Sequence, residues 1–265
     1  MAIDTHDKWL ASSKQILTWM KTGTRTLISS LPYTTFDLAG TPGAGALAIG
    51  NTANGVVPTD ATAGYPVIPS FGGNLGYLGN IGFGSSVSGR FYLYDRVFAA
   101  GAYAFGADTT LASQPSYSAR MVPAANYVGT QIWIEAVTAF TGNFSVQINY
   151  LDQDGSAGDT GVYATGVAPA VGRMIHIPLA AGDNGVSQIT RVRGTVSTVG
   201  TWNVMVLRKL WGPGRVVNAN VGDIHDYVKV GFPQIYDTSA LYCVLYADAT
   251  AVGLPLIDFQ VCIGP

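Results

Sequence analysis

The sequence is poor in charged residues, and above all in glutamate and lysine. Only 11% of its 265 residues are Asp, Glu, Lys or Arg, whereas an average globular protein has roughly 25%. Glutamate occurs once, at Glu135, and lysine occurs five times. Both residue types favour helices, and charged side chains normally cover a water-facing surface. The composition therefore argues against a helical protein and against a monomer that diffuses freely in a crowded cytosol.

Three further absences narrow the class of protein. No uninterrupted run of about 18 apolar residues occurs, so we expect no transmembrane helix and no membrane partner. The N-terminus lacks the basic and then apolar layout of a signal peptide, so we expect synthesis in the cytoplasm. The formal net charge of −2 offers no basic footprint for nucleic acid.

The residues that are abundant point to β-structure. The chain has 33 Gly, 13 Pro and 14 Tyr, and aromatic residues suit strands whereas Gly and Pro suit turns. Its length fits one large sandwich or two small domains. We predict an all-β protein, an antiparallel jelly-roll-like β-sandwich with an N-terminal helix and a long extended arm. The predicted strands are residues 90–98, 130–140, 143–151, 173–179, 187–197, 201–210, 241–247 and 254–263.

The chain divides into three predicted regions. Residues 1–38 comprise a linker and an amphipathic helix over residues 5–20, whose apolar residues recur at helical spacing. This helix either docks on its own domain or reaches a neighbour. Residues 39–89 form a Gly/Ala/Thr-rich extended arm that is expected to become ordered against a scaffold or another subunit. Residues 90–265 form the sandwich, with an excursion at 211–237.

The two cysteines lie near the C-terminus, in apolar runs separated by a turn-like segment. If the two runs form a hairpin about Val252 and Gly253, then Cys243 and Cys262 face each other across it. Their Cα atoms would then lie within disulfide range. In a reducing cytosol we favour free thiols, so the residues are a candidate cross-strand pair without a bond.

Candidate chemical sites are few. Asp223, His225 and Asp226 are the one cluster of His with carboxylates, and a loop cap explains it better than a metal or an acid–base pair. The segment 152–155 begins like a calcium loop but lacks the later ligands, so we predict a hairpin turn. Glu135 is expected to be a paired structural carboxylate. We expect no catalytic residue, no metal and no cofactor; a depolymerase is the least favoured alternative.

Tyrosines in neutral, loop-like segments form a second candidate site. Tyr103, Tyr117, Tyr127 and Tyr163 would line a sugar-binding groove or anchor a protein interface, and each would equally well belong to the core. A carbohydrate-binding module, or a tail, neck or spike component for host attachment, is therefore an alternative function.

Several segments between about residues 40 and 210 together resemble small structural proteins of tailed bacteriophages. They are Ala44–Thr52, Val57–Pro66, Leu93–Phe98, Ile132–Val137, Gln147–Gly155 and Ile177–Val186. The N-terminal helix and the stretch after Trp211 lie outside this resemblance, and its residues are those of packing and turns rather than of a catalytic motif.

The resemblance implies a capsid decoration (cement) or other accessory virion protein. Such proteins are typically β-sandwiches in symmetric oligomers, so the resemblance implies a homo-oligomer such as a trimer, located in the virion and bound to the major capsid protein. A neutral arm and aromatic anchors suit such contacts. The predicted capsid or subunit contacts are Trp9, Ile16, Trp19, Tyr65, Phe71, Tyr77, Tyr103 and Phe105.

Overall fold

The structure, a computed structural model, describes residues 3–195 and 199–264. The chain forms two compact units. Unit 1 comprises residues 1–45, 59–95 and 210–265, and unit 2 comprises residues 46–58 and 96–209. Nearly all of the regular structure is antiparallel strand, so the predicted all-β class is confirmed.

The elements of the described residues are numbered here in chain order. In the first part of the chain they are α1 (His6–Ala11), β1 (Ser13–Lys21), β2 (Arg25–Leu27), β3 (Pro32–Thr34), β4 (Gly40–Thr41), β5 (Asn51–Val56), β6 (Gly76–Ser85), β7 (Gly89–Ala104) and β8 (Asp108–Thr110). In the middle part they are two 3-10 turns (Ser118–Arg120 and Pro123–Ala125), β9 (Thr130–Thr138), β10 (Ser145–Asp152), β11 (Ala157–Asp159), β12 (Tyr163–Ala164), β13 (Met174–Ile177) and β14 (Val186–Gly194). In the last part they are β15 (Thr201–Val216), β16 (Val221–His225), α2 (Tyr227–Val230), β17 (Gln234–Ile235), β18 (Leu241–Ala247), β19 (Ala251–Gly253) and β20 (Pro255–Ile263).

Unit 1 is built from two layers of strands. One sheet has the order β16-β6-β20-β1-β4, and in the other layer β18 lies between β3 and the first part of β7. Alternate side chains of both layers point into one core, where Trp19, Phe83 and Phe259 of the first sheet join Leu93 and Leu245 of the second. This is the packing of a β-sandwich.

Unit 2 repeats the two-layer principle with different strands. One sheet has the order β11-β10-β14-β8, and the other pairs β9 with β13 and with the Thr201–Arg208 part of β15. Ile148 and Val192 of the first sheet share a core with Ile134 and Val204 of the second. Each unit thus has its own apolar core, and β7 and β15 contribute residues to both units.

All eight strands predicted from the sequence are present, although residues 196 and 197 at the end of one of them lie outside the described residues. Burial alternates along β10 and β20, which bury one face in the core of their unit, whereas β18 and most of β15 are buried on both faces. The two-layer packing occurs twice, and the boundaries between the two units fall inside β7 and β15 as well as at residues 45–46 and 58–59.

The predicted helix over residues 5–20 is wrong beyond its first turns. The helix α1 ends at Ala11, and Ser13–Lys21 is strand β1, which pairs with β20 over eight residues. Tertiary pairing overrides a local spacing that fits either structure. No helix within residues 3–195 and 199–264 has the length and hydropathy to cross a membrane.

Two other predicted regions also take on regular structure. Within residues 39–89, β6 lies in the middle of the first sheet of unit 1, between β16 and β20. Within the predicted excursion at 211–237, β15 continues to Val216 and β16 pairs with β6. Residues 211–237 and most of residues 39–89 are therefore parts of unit 1 and not appendages, whereas residues 46–58 of the predicted arm belong to unit 2.

Candidate functional site

The N-terminal segment packs on unit 1 itself. On α1, Trp9 stacks against Tyr227 of α2 with ring centroids 4.7 Å apart, and His6 stacks on both rings. On β1, Trp19 points into the core and is 1% exposed, whereas Ile16 on the opposite face is 71% exposed. Of these three predicted contact residues, Ile16 is the one that is freely available to a partner.

The aromatic residues predicted as contacts in the arm are buried in unit 1. Phe71 belongs to the main core, Tyr65 packs against Phe36 with ring centroids 4.7 Å apart, and Tyr77 joins Cys262 in a smaller cluster. Because the arm folds back as strand and loop of its own sandwich, these three rings are core residues rather than exposed anchors.

Of the four tyrosines predicted to lie in loops of what is now unit 2, two are buried and two are half-buried, and Tyr103 and Tyr163 lie on strands β7 and β12. Tyr103 is buried, and its hydroxyl donates to the Thr52 carbonyl at 2.9 Å. Tyr117 is buried as well, whereas Tyr127 and Tyr163 are half-buried. Neither Tyr103 nor Tyr117 can therefore serve as an exposed anchor. Phe105, another predicted contact residue, is half-buried and packs against the unit 2 core.

The two cysteines are not cross-strand neighbours, so the predicted pairing is wrong. Cys243 lies opposite Leu93 on β7, and Cys262 lies opposite Lys14 on β1 and Tyr77 on β6. Both are buried free thiols. Burial raises the pKa of Cys243 to about 12, so this thiol is held protonated and unreactive at neutral pH.

Asp226 and Asp152, two of the carboxylates in the candidate ligand segments, have structural roles. Asp226 caps α2 by accepting from the Lys229 amide at 3.0 Å, which confirms the loop-cap prediction. Asp152 accepts from two amides of the turn between β10 and β11, which confirms the hairpin turn. His225 Nδ1 accepts from Trp211 Nε1 at 3.1 Å, and burial lowers the pKa of this histidine. No group of three or more metal-ligating side chains is close enough to hold an ion within the described part of the chain.

Glu135 is a buried, paired carboxylate, as expected. Its Oε2 lies 3.8 Å from Arg96 Nη2 and accepts from Asn203 Nδ2 at 2.9 Å, and both ionic side chains are at most 1% exposed. The Asn203 amide also donates to the Leu47 carbonyl at 2.7 Å. A buried charge needs such compensation, so this network specifies the interior of unit 2 rather than a reactive centre.

An open trough of about 750 Å³ crosses the outer face of the β16-β6-β20-β1 sheet of unit 1. Its floor is β6, which places Gly82 and Gly84 on this face and so has no side chain at these two positions. Gly82 lies between Ile224 of β16 and Asp258 of β20, and Gly84 is flanked by Leu256 of β20. The glycines therefore make a channel between two walls of side chains.

The walls of the trough are mainly apolar and exposed. Ile224 on β16 is 68% exposed, and Val221, Leu254, Leu256 and Ile16 add further exposed apolar side chains. The charged groups among the lining residues are two carboxylates on the strands to either side of β6, those of Asp223 on β16 and Asp258 on β20. Contiguous exposed apolar surface of this kind marks a binding surface. We call it the trough face.

The trough face ends at two sheet edges. On one side β16 is the terminal strand, and on the other β4 pairs with β1 only at Met20 and Lys21. The Ser13–Trp19 part of β1 is therefore an edge among the described strands. An edge strand beside apolar surface is a common place for another chain to bind.

Unit 2 carries a second concave site, a polar pocket of about 450 Å³. Gln114 forms one wall, with Oε1 accepting from the Ile189 amide of β14 at 3.1 Å and Nε2 donating to the Ile189 carbonyl. The floor is Tyr117, whose hydroxyl donates to the Val186 carbonyl at 2.6 Å. Burial raises the pKa of Tyr117 well above its usual value. The half-buried Tyr127 ring meets Tyr117 edge to face, with centroids 5.5 Å apart.

The comparisons with known proteins identify no family. No family model matches the sequence, and no curated protein matches it. Among solved structures, a chain of the infectious bursal disease virus Gx strain aligns at 8% identity and a TM-score of 0.18, covering 96% of this chain and 82% of that one. A chain of the Gt strain aligns at 9% identity and a TM-score of 0.18, covering 100% and 83%. TM-scores this low establish no shared fold.

Proposed function

We propose that this protein is a non-enzymatic structural component of a virion. In this proposal it binds the major capsid protein and stabilises the capsid lattice, as a decoration (cement) protein or a minor capsid protein. The sequence resemblance of residues 40–210 to small structural proteins of tailed bacteriophages supports the virion part. The trough face of unit 1 is the observation that carries the binding part.

The trough face suits a large, weakly charged partner surface. Each Å² of apolar area removed from water contributes about 25 cal/mol, and the exposed side chains of Ile16, Ile224 and Leu256 offer such area. Among the described residues, no lysine or arginine lines the trough, so binding there does not require a cationic side chain to lose its hydration. A floor of glycine lets a partner segment approach the backbone of β6 closely. A capsid lattice presents the same surface many times, so modest contacts add up through multivalency when this protein is itself an oligomer, such as a trimer.

The roles of the ionisable groups favour assembly over catalysis. Asp226 caps a helix, Asp152 organises a turn, and Glu135 neutralises Arg96 in the core of unit 2. A catalytic acid or base needs a proton-transfer partner within reach in an accessible cleft. Carboxylates that serve as caps, turns and buried pairs are typical of a structural protein.

Quantitative mass spectrometry of purified virions and of separated heads and tails tests this function. We expect the protein to remain with intact heads through a density gradient, in a fixed ratio to the major capsid protein. Heads that lack the protein should lose their contents at a lower temperature and regain stability when it is added back. Recovery with tails alone would contradict the capsid role, and absence from virions would contradict the whole proposal.

A further inference from the structure

The polar pocket of unit 2 has the chemistry of a ligand site that the proposed capsid contact does not use. It is formed by segments far apart in the chain, which include the turn before Tyr117, the β10–β11 hairpin and the start of β14. Its lining combines carboxamides and hydroxyls with two tyrosines. Most small-molecule pockets are mainly apolar, so a lining this polar indicates a ligand rich in hydroxyl groups.

The walls of the pocket are held rigid by hydrogen bonds among themselves. Asn126 Nδ2 donates to the Gln153 carbonyl at 2.6 Å, and Gln153 Oε1 accepts from the Asn184 amide at 2.9 Å. Gln153 Nε2 also donates to Asp154 Oδ2 at 2.9 Å. With Gln114 bonded to β14, the loops on both sides of the pocket are fixed before any ligand arrives. Preorganisation of this kind lowers the entropic cost of binding.

Three groups remain to bind a ligand. Gln188 on β14 is half-buried, and its carboxamide offers both a donor and an acceptor. Asp154 is exposed and keeps acceptor capacity on Oδ1. The half-buried ring of Tyr127 offers an apolar surface beside them. A carboxamide and a carboxylate together match the donors and acceptors of neighbouring hydroxyls, and an aromatic ring suits the C–H side of a pyranose.

We infer that this pocket binds a neutral saccharide, with Tyr127 as the stacking surface and Gln188 and Asp154 as the hydrogen-bonding groups. Asp154 carries the negative charge among the lining residues, which disfavours an anionic sugar. The site differs from the groove predicted from the sequence, because Tyr103 has no part in it and Tyr117 serves as a buried floor.

Saturation-transfer difference NMR on the full chain tests the inference. The probes are the methyl glycosides of glucose, galactose, rhamnose and N-acetylglucosamine at millimolar concentration, with N-acetylneuraminic acid as the anionic comparison. We expect transfer to at least one neutral glycoside and a weaker signal for the anionic sugar. No transfer to any neutral probe, or a preference for the anionic sugar, would overturn the inference.

Three variants locate the bound sugar. Tyr127→Ala and Gln188→Ala should each weaken binding about tenfold, the effect of about 1.4 kcal/mol. Tyr127→Phe retains the ring and should bind within about threefold of the unaltered protein. Tyr163→Ala removes a half-buried tyrosine of the same unit outside the pocket and serves as the control. Equal binding by all variants with unchanged melting temperatures would overturn the assignment, whatever the outcome of the capsid experiments on unit 1.

Discussion

The two units share one building plan and differ in the surfaces that they present. Both pack two antiparallel layers around an aromatic and aliphatic core. Unit 1 presents apolar side chains around a glycine floor, whereas unit 2 presents a pocket of carboxamides and an exposed ion pair between Arg191 and Asp108 at 2.6 Å. The same building plan thus presents two kinds of surface, one mainly apolar and one rich in hydrogen-bonding groups.

The interiors differ as well. Unit 2 neutralises buried Arg96 with Glu135, whereas unit 1 buries Lys21, whose ammonium donates to the Pro42 and Gly43 carbonyls at 2.7 and 3.4 Å. A carboxylate compensates a buried cation better than carbonyl dipoles do, so the two interiors should respond differently to mutation and to pH.

The ion pair in unit 2 predicts one of the two largest losses of stability. Glu135→Ala leaves Arg96 buried without its carboxylate and should lower the free energy of unfolding by about 3–5 kcal/mol. Asp108→Ala is the matched control, since it removes one side of the exposed pair with Arg191 and should cost at most about 1 kcal/mol. Urea denaturation measures both. Similar losses in the two variants would contradict the distinction between buried and exposed pairs.

In unit 1 the two faces of β1 should respond differently to truncation. Trp19→Ala creates a cavity in the core and should cost about 3–5 kcal/mol, whereas Ile16→Ala on the trough face should change stability by less than about 0.5 kcal/mol. Thermal or urea unfolding of the two variants makes the comparison. A large loss from Ile16→Ala would show that the trough face is not solvent-exposed.

Strand β1 also shows how far the sequence predicts this fold. The eight strands are predictable from the sequence because several alternate in apolar and polar residues, their composition favours β-structure, and turn residues separate them. The helix over residues 5–20 was wrong because Leu17 and Trp19 face the core while Ile16 and Met20 face outward, a mixture that also fits a helical stripe. Only the pairing with β20, more than 230 residues away in the chain, selects the strand.

The candidate sites were less predictable than the strands. The cysteine pairing assumed a hairpin of β18 with β20, but those strands pair with β7 and with β1 and β6. The sequence contains Gly82 and Gly84 in a glycine-rich segment, but it does not show which residues flank them on the neighbouring strands. Those neighbours form the walls of the trough, so the trough could not be predicted from the glycines alone. The polar pocket is formed by residues 114–117, 153–155 and 187–188, which are far apart in the sequence, so no local motif predicts it.

The buried lysine of unit 1 predicts a dependence of stability on pH. Burial lowers the pKa of Lys21 from 10.5 to about 8 in the folded protein. Between these values the unfolded chain binds more protons at this side chain, so the contribution of Lys21 to stability should rise with pH, by on the order of 1 kcal/mol from pH 8 to 9.5. Lys21→Met should remove this rise. The buried thiol of Cys243, whose pKa is raised, contributes with the opposite sign in both the unaltered protein and the variant, so the difference between the two isolates Lys21. An unchanged slope in urea denaturation across that interval would contradict the lowered pKa.

Filling the trough should have the smallest effect on stability. A Cβ at Gly84 would lie 3.5 Å from the nearest atom, the Cα of Gly222, which is ordinary contact. Gly84→Val therefore fits the strand and should leave the unfolding free energy unchanged or raise it by up to about 1 kcal/mol. Gly106→Ala in unit 2, where a Cβ meets open space, is the control for glycine replacement. A marked loss in Gly84→Val would show that the floor is tighter than described.

The central claim is that the trough face of unit 1 binds the capsid lattice. Cosedimentation with capsids of the encoding virus that lack this protein tests it most directly, with the unaltered protein, Gly84→Val, Ile224→Asp and the unit 2 variant Tyr127→Ala. The account predicts saturable binding by the unaltered protein and Tyr127→Ala, and a loss of at least about tenfold for both trough-face variants while they remain folded. Undiminished binding by Gly84→Val and Ile224→Asp would contradict it.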